Sequence, residues 1–579
     1  MGQFAGLFYT GNAQALRGAY DAPYHVMGRH ALCARSVASD GGAMALAVGR
    51  LRNAAALRRD IRPLGEKYTV SDSALLLGAY RLWGEDCAER LEGAALLIVI
   101  DQDAERLILS SDRMGAAGSL FYAPVRGGIA FAGHPEPLLG VPGVSRRVGL
   151  GGLRMLFGLG PARTPGLTPF RDVFQLPPGT MLIADPHGHR TRRWFRLETR
   201  AHEDDGGKTI DTVRGLLEQA MDDAAPCQPT AMLSGGLDST VLTALLARRG
   251  GDVLSFSVDY ESNADYFRGG RYQPEQDAPY VERAVQALGC RHTRVVLSID
   301  ALADALDEAV LARGWPGMAD IDSSLLLFSR ALAQHGRYTL SGECSDEVFG
   351  GYPWFSREEL IFADGFPWSG SLALRESVLR EDVRDALRLK AYVDSVYHDA
   401  LARQGVLPGE DTRSARLRLL QGLCFEFFMS NLQERAACMG EAAGLTVLTP
   451  YCDDRLVQYV YNVPWTMKRM MGVEKGLLRA AARDLLPEEL LMRRKSPYPK
   501  TYHPAYAQAV RQRMEAVLED SSAPIMKLID KSTLSGLIRS NLSPAETPWF
   551  GQLMAGPQML AYLLQINFWM SRYHVEISE

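Results

Sequence analysis

The chain has 579 residues, 47% hydrophobic and 23% charged, with 63 Lys+Arg against 68 Asp+Glu and a net charge of -5. A length several times the typical ~150-residue domain predicts two or three domains, and the composition excludes a disordered or fibrous protein. The mildly acidic balance argues against non-specific nucleic-acid binding. Apolar runs such as 95-ALLIVI-100 are far too short for a membrane span, and the first residues, MGQFAGLFYTGNAQ, lack the basic start and long apolar core of a signal peptide. The eight cysteines contain no C-x-x-C pair, so neither a disulfide framework nor a zinc site is expected. Buried thiols in a soluble cytoplasmic protein are expected instead.

The first third is punctuated like a β protein. Residues 94–109, 119–131 and 179–195 each read as two apolar runs around a polar turn, the last turn holding 187-HGH-189. One helix stands out at 71-SDSALLLGAYRLW-83, with Ser71 or Asp72 as N-cap. This pattern predicts a layered α+β domain over residues 1–197. The polar stretch 198–209 reads as a linker.

From residue 210 to 579 strand and helix alternate. TAMLSGG at 230–236 reads as a strand ending in a glycine turn, followed by an apolar-periodic helix. A strand follows at 253–260 and a helix at 277–288 with Asp277 at its cap and Pro279 in the first turn. Strands at 293–299 and 338–342 continue the series. The pattern predicts an α/β fold with an open parallel sheet and ligands at the strands' carboxyl ends. Beyond about residue 411 the chain reads as mostly helical.

Two motifs fall at those ends. In 234-SGGLDST-240 glycines let backbone N–H groups approach phosphate oxygens, and the helix N-terminus adds its positive end. Ser234 and Ser239 add hydroxyls, while Asp238 suits a Mg²⁺ bridging phosphates. The Walker A ending is missing, and a plain tight turn with an Asp cap is the bland alternative. The second motif, 341-SGECSDEVFGGY-352, supplies Glu343, Asp346 and Glu347. A solvated acidic loop is its bland alternative.

The pair of motifs resembles the asparagine synthetase group of ATP-pyrophosphatases, and the resemblance runs along nearly the whole chain. The segments 87-CAERLEGAALLIVID-101, 108-ILSSDRMGAAGSLFY-122 and 170-FRDVFQLPPGTMLI-183 resemble the class II amidotransferase (Ntn-type) domain. The segments 434-ERAACMGEAAGLTVLTPYCDDRLVQYV-460 and 474-EKGLLRAAARDLLPEELLMRRKSPYPK-500 resemble the helical part of the synthetase domain. The resemblance implies ATP-dependent activation of a carboxylate as an acyl-adenylate, with release of pyrophosphate. It places Ser234, Gly235, Gly236 and Ser239 at the pyrophosphate, and Asp238 and Asp346 at Mg²⁺. It places Leu233, Val258 and Gly342 around the adenosine. Lys495 matches the lysine that stabilises developing charge, the largest kind of catalytic contribution in many enzymes. Lys475 is a second candidate, although EKGLLRAA also reads as a surface helix start.

Glutamine-dependent members carry a catalytic cysteine after the initiator methionine, where this chain has Gly2. Their glutamine-binding N-G-E aligns with 48-VGRLRN-53, so Val48 replaces the Asn and Arg50 the Glu; Asp72 is retained, though capping explains it equally. An N-terminal domain without glutaminase activity is expected. Without that ammonia another nucleophile is needed, and 271-RYQPEQDAPYVERA-284, 316-PGMADIDSSLLLFSRA-331, 347-EVFGGYPWF-355 and 495-KSPYPKTYHP-504 are most similar to lasso-peptide macrolactam synthetases. That resemblance implies ring closure between an Asp or Glu side chain of a precursor core peptide and its N-terminal amine. It implies a leader-binding protein and a leader peptidase as partners. Glu343 is placed to receive the amine's proton, with a structural acid as the alternative. An ammonia-dependent amide synthetase, a β-lactam-type synthetase and a non-catalytic scaffold are the competing expectations. Aromatics in 352-YPWF-355 and 425-FEFF-428 are candidates to line the peptide pocket, with core packing as the alternative.

Overall fold

The computed structural model describes residues 4–8, 23–270, 273–540, 542 and 548–578. Gly2 and residues 271 and 272 lie outside them. The chain forms two compact units. One comprises Met1–Gly152, Thr164–Leu197 and Glu576–Glu579, and the other Leu153–Arg163 and Glu198–Val575.

The first unit holds two six-stranded antiparallel sheets, matching the α+β sandwich expected. One sheet runs Phe174–Gln175, Phe121–Val125, Gly128–Ala132, Ala5–Phe8, His30–Cys33, Tyr24–Met27. The other runs Gly188–Arg193, Thr180–Asp185, Arg106–Ser110, Ala95–Asp101, Ala43–Gly49, Ala38–Ser39. Strand Ala95–Asp101 is buried at every position because both of its faces are covered. Leu96, Ile98 and Ile100 join the inter-sheet core with Phe8, Leu32 and Phe131. Leu97 and Val99 pack with Leu75, Leu76 and Ala79 of helix Asp72–Trp83. Ser71 caps that helix, accepting from the Ala74 N–H at 3.1 Å. The three expected hairpins form, and His187 sits in the last turn with its N–H on Asp185 Oδ1 at 2.8 Å.

The second unit is built on a five-stranded sheet in which every pairing is parallel. Its order is Arg291–Leu297, Leu254–Tyr260, Thr230–Met232, Tyr338–Leu340, Thr446–Leu448. Connectivity reverses between Thr230–Met232 and Tyr338–Leu340, which makes their carboxyl ends the switch point where ligands bind in such sheets. Helices Gly206–Ala224, Leu237–Ala247, Ala278–Leu288, Ile299–Arg313 and Asp320–Ala333 accompany the sheet, and the chain beyond residue 411 is mostly helical.

Three expectations need correction. Residues 206–209 are not linker but the first turn of helix Gly206–Ala224. Asp205 accepts from the Lys208 N–H at 2.8 Å, and Thr209, Val213 and Leu217 form a buried stripe. The strand expected at 293–299 is Arg291–Leu297, because Ser298 caps the next helix by accepting from the Ala301 N–H at 3.2 Å. None of the eight cysteines forms a disulfide, but Cys227 and Cys438 are only half-buried. Among the described residues no helix is long and apolar enough to cross a membrane.

Candidate active site

Loop 233–236 leaves strand Thr230–Met232 and enters helix Leu237–Ala247. Leu233 is buried and donates its N–H to the Phe256 carbonyl at 2.7 Å. Gly235 has φ +71, and a Cβ there would lie 2.7 Å from the Val281 N, so only glycine lets the loop rest on the neighbouring helix. The Ser239 hydroxyl accepts from the Ser234 N–H and meets the Ser234 hydroxyl, both at 3.1 Å. Gly236 is the helix N-cap and has no side chain to satisfy the first N–H groups, an arrangement that suits an anion.

Across the switch point, loop 341–344 enters the short helix Ser345–Phe349. The Ser345 hydroxyl donates to Asp238 Oδ1 at 2.7 Å, tying the two loops together. Lys475 Nζ sits 2.6 Å from both Asp238 Oδ2 and Asp346 Oδ1, and Lys495 Nζ sits 2.7 Å from Asp346 Oδ2. Burial pushes the Asp346 carboxyl up, but the two ammoniums outweigh it and hold the carboxyl below its ordinary value. Burial likewise pushes Lys475 down, and Asp238 and Asp346 more than reverse it. Lys475 is therefore not a surface helix start. It is buried, and its backbone adopts the left-handed region at φ 54, a strained conformation of the sort concentrated at functional sites. Gly351 permits the arrangement, since a Cβ there would lie 1.8 Å from Asp346 Oδ1.

Glu343 is not a free acid. Arg435 Nη2 donates to its Oε1 at 2.5 Å, and the buried guanidinium lies 5.2 Å from the Tyr498 ring centroid. Tyr352 stacks on Trp354 at 4.3 Å, faces the Lys495 ammonium at 5.1 Å, and donates from its hydroxyl to Glu347 Oε1 at 2.9 Å. Burial, then the charges of Asp346 and Glu343, push Glu347 up to about 8. Its unfolded value lies near 4.5, so between the two the folded protein holds a proton that the unfolded chain has lost. Stability then falls as pH rises through that window, by at most about 1.4 kcal/mol per pH unit. Glu347→Gln should flatten this slope, measured by urea unfolding at the two ends of the window.

Ser234, Gly236, Ser239, Glu343 and Arg435 open on one cavity of about 560 Å³, which Gly235, Glu347 and Lys475 do not line. Leu233, Val258 and Gly342 line it together with Asp238, Asp346 and Lys495. Phe425 and Phe427 pack in the core, but Phe428 reaches the cavity because residues Cys424–Met429 form a π-helical turn that alters the helical register. Tyr352 lines it too, while Trp354 is buried behind. Among the described residues no three His, Cys, Asp or Glu form a metal cage. Mg²⁺ needs only one or two carboxylates when phosphates complete its shell, and Asp238 and Asp346 converging on one ammonium fit that role.

The amidotransferase-like positions lie in the first unit. Val48 is buried in strand Ala43–Gly49 and belongs to the inter-sheet core, so it presents no polar group. Arg50 is exposed just after that strand. Asp72 does not cap its helix; its Oδ2 accepts from the Leu51 N–H at 3.4 Å. The catalytic-cysteine position, Gly2, lies outside the described residues.

Sequence reasoning missed Arg435, Arg493 and Tyr451. Tyr451 donates to the Asp238 carbonyl at 3.0 Å. Asp277 is the helix N-cap as expected, but its side chain makes no capping hydrogen bond; its carboxylate takes Arg493 instead. An arginine immediately after Glu434 in a helix of small residues was the only local signal for Arg435.

Comparison with known proteins matches residues 212–571 to the Asparagine synthase family and residues 33–195 to the Glutamine amidotransferase domain family. Glutamine-hydrolyzing asparagine synthetase 3 of Bacillus subtilis is 38% identical over 542 residues, covering 92% of this chain and 87% of that one. Glutamine-hydrolyzing asparagine synthetase 1 of the same organism is 23% identical, covering 78% and 74%. A solved Bacillus subtilis glutamine phosphoribosylpyrophosphate amidotransferase covers 51% of this chain and 65% of its own at 12% identity, with a TM-score of 0.25. That likeness bears on neither fold nor function.

Proposed function

The chain belongs to the asparagine synthase family, and from that premise we propose that it is an ATP-dependent lasso peptide macrolactam synthetase without glutaminase activity. It adenylates an Asp or Glu side chain of a precursor core peptide, and the peptide's own N-terminal amine displaces AMP to close an isopeptide ring. Pyrophosphate and AMP are released. Its cytoplasmic partners are a leader-binding protein and a leader peptidase.

One observation favours a peptide over free aspartate. Arg435 is paired with Glu343, Lys495 with Asp346, and Arg294 with Asp259 at 3.7 Å. Among the described residues lining the cavity, every Lys and Arg therefore has an acid partner. A free amino acid brings an α-carboxylate that needs a cation of its own once buried. A carboxyl side chain flanked by amides does not, and Tyr352, Phe428, Leu432 and Leu553 offer apolar surface to its neighbours.

Placement along the cavity supports these roles. Ser234, Gly235, Gly236, Ser239 and the N-terminus of helix Leu237–Ala247 hold the pyrophosphate group of ATP. Leu233, Val258 and Gly342 surround the adenosine. Asp238 and Asp346 would hold Mg²⁺, which would supply charge to neutralise the phosphates. Lys495 stabilises charge developing on the phosphate and on the tetrahedral oxygen, and Lys475 holds both carboxylates in place. Glu343 retains Oε2 to take the attacking amine's proton while Arg435 fixes Oε1. Holding both peptide ends together makes ring closure intramolecular, an advantage worth ~7–11 kcal/mol at best. A non-catalytic scaffold fits poorly with a complete set of Asp238, Asp346, Lys475 and Lys495. Asparagine synthesis from free aspartate and ammonia is the second reading, favoured by the name of the 38%-identical relative.

ATP–pyrophosphate exchange tests the acyl donor. A linear peptide with an internal Asp or Glu should stimulate exchange strongly and free aspartate should not; the reverse would sink the peptide assignment. Glutamine incubated with the enzyme should release no glutamate above background, because Gly2, Val48 and Arg50 replace the groups that bind and attack it. Gly2→Cys alone should not restore release, and steady hydrolysis by the unaltered enzyme would contradict the proposal.

A further inference from the structure

The segment carrying Lys495 is fastened to the phosphate loop by a second cation two residues earlier. Arg493 is buried; it donates from Nη1 to the Ser234 carbonyl at 3.2 Å and from Nη2 to Asp277 Oδ1. Its guanidinium carbon lies 4.1 Å from the Tyr280 ring centroid. Asp277 also accepts from Gln273 Nε2 at 3.2 Å and stands at the head of helix Ala278–Leu288, the helix on which Gly235 rests. One guanidinium therefore joins the phosphate loop, the start of that helix and the chain leading to Lys495.

We propose that Arg493 is a positioning residue that sets the register between the phosphate loop and Lys495. Arg493 does not line the cavity. It holds the Ser234 carbonyl so that the Lys495 ammonium stands where charge develops on the phosphate of a bound nucleotide. The role rests on the ATP-dependent reading above. Arginine suits it because a planar fork reaches two acceptors in fixed directions, which a single ammonium does not. Accuracy matters here, since a misplacement of about 1 Å can cost about 10²-fold in rate.

Arg493→Gln alone leaves Asp277 half-buried without its cation, so a folding defect would obscure the result. Two variants avoid this. Arg493→Lys keeps the charge beside Asp277 and gives up the Ser234 contact, while Arg493→Gln with Asp277→Asn removes both charges and keeps two amides in contact. Each is measured in ATP–pyrophosphate exchange with a linear peptide as acyl donor, alongside its thermal unfolding midpoint. Both should unfold near the wild-type midpoint. At saturating ATP kcat should fall about 10-fold to 10²-fold, with a smaller rise in the KM for ATP, because the lysine is displaced even when the loop is filled. A folded variant with kcat and KM within about twofold of wild type would reduce Arg493 to a structural ion pair. A rise in KM with kcat unchanged would also overturn the role, because it would confine Arg493 to nucleotide binding. No exchange by the wild-type enzyme with either the peptide or free aspartate would remove the ATP reading, and this role with it.

Discussion

Asp346→Asn is expected to lower AMP formation by about three orders of magnitude while leaving the fold intact. Asp346 meets both ammoniums, Lys475 at 2.6 Å and Lys495 at 2.7 Å. Asparagine preserves the shape but removes the negative charge that holds Lys495 and that would face a metal ion. Asp238→Asn should cost less, because Asp238 meets Lys475 alone and keeps its Ser345 contact. Steady-state AMP release at saturating ATP gives the ranking. Near-normal turnover by Asp346→Asn would remove that residue from the chemistry.

Lys495→Ala is expected to reduce kcat by about 10²–10³-fold with little change in ATP affinity. Its ammonium reaches the cavity, whereas Lys475 is sealed beneath it between two acids. Lys495 can be lost without leaving a buried charge unpaired, since Asp346 retains Lys475. Lys475→Ala is different: it would set two carboxylates facing each other and should reduce stability as well as rate. Equilibrium ATP binding measured beside single-turnover kinetics separates the two effects. A loss confined to binding would contradict the charge-stabilising role.

The loops that carry the site were legible because their chemistry is local. Glycines, hydroxyls and acids packed into SGGLDST and SGECSDEVFGGY follow strands whose apolar runs end just before them. The two antiparallel sheets were likewise legible from three hairpins with polar turns. Pairings made over long sequence separations were not. Lys475 lies 237 residues from Asp238 and Arg435 lies 92 from Glu343, and nothing near either cation in sequence marks its acid. Asp277 stands at the helix cap, as its place before Pro279 suggests, yet its carboxylate goes to the distant Arg493 rather than to the helix N–H groups. Sequence leaves pocket lining and core packing both open for 425-FEFF-428, and a regular helical period cannot decide between them because Cys424–Met429 form a π-helical turn.

Product mass is the most direct test of the central claim. The enzyme is incubated with ATP, Mg²⁺ and a linear peptide bearing a free N-terminal amine and an Asp or Glu several residues along. The account predicts a peptide lighter by one water, with AMP rather than ADP formed alongside. Acetylating the N-terminus, or replacing the acceptor acid with its amide, should abolish that product. Conversion of free aspartate and ammonia to asparagine, with the peptide unchanged, would contradict the account.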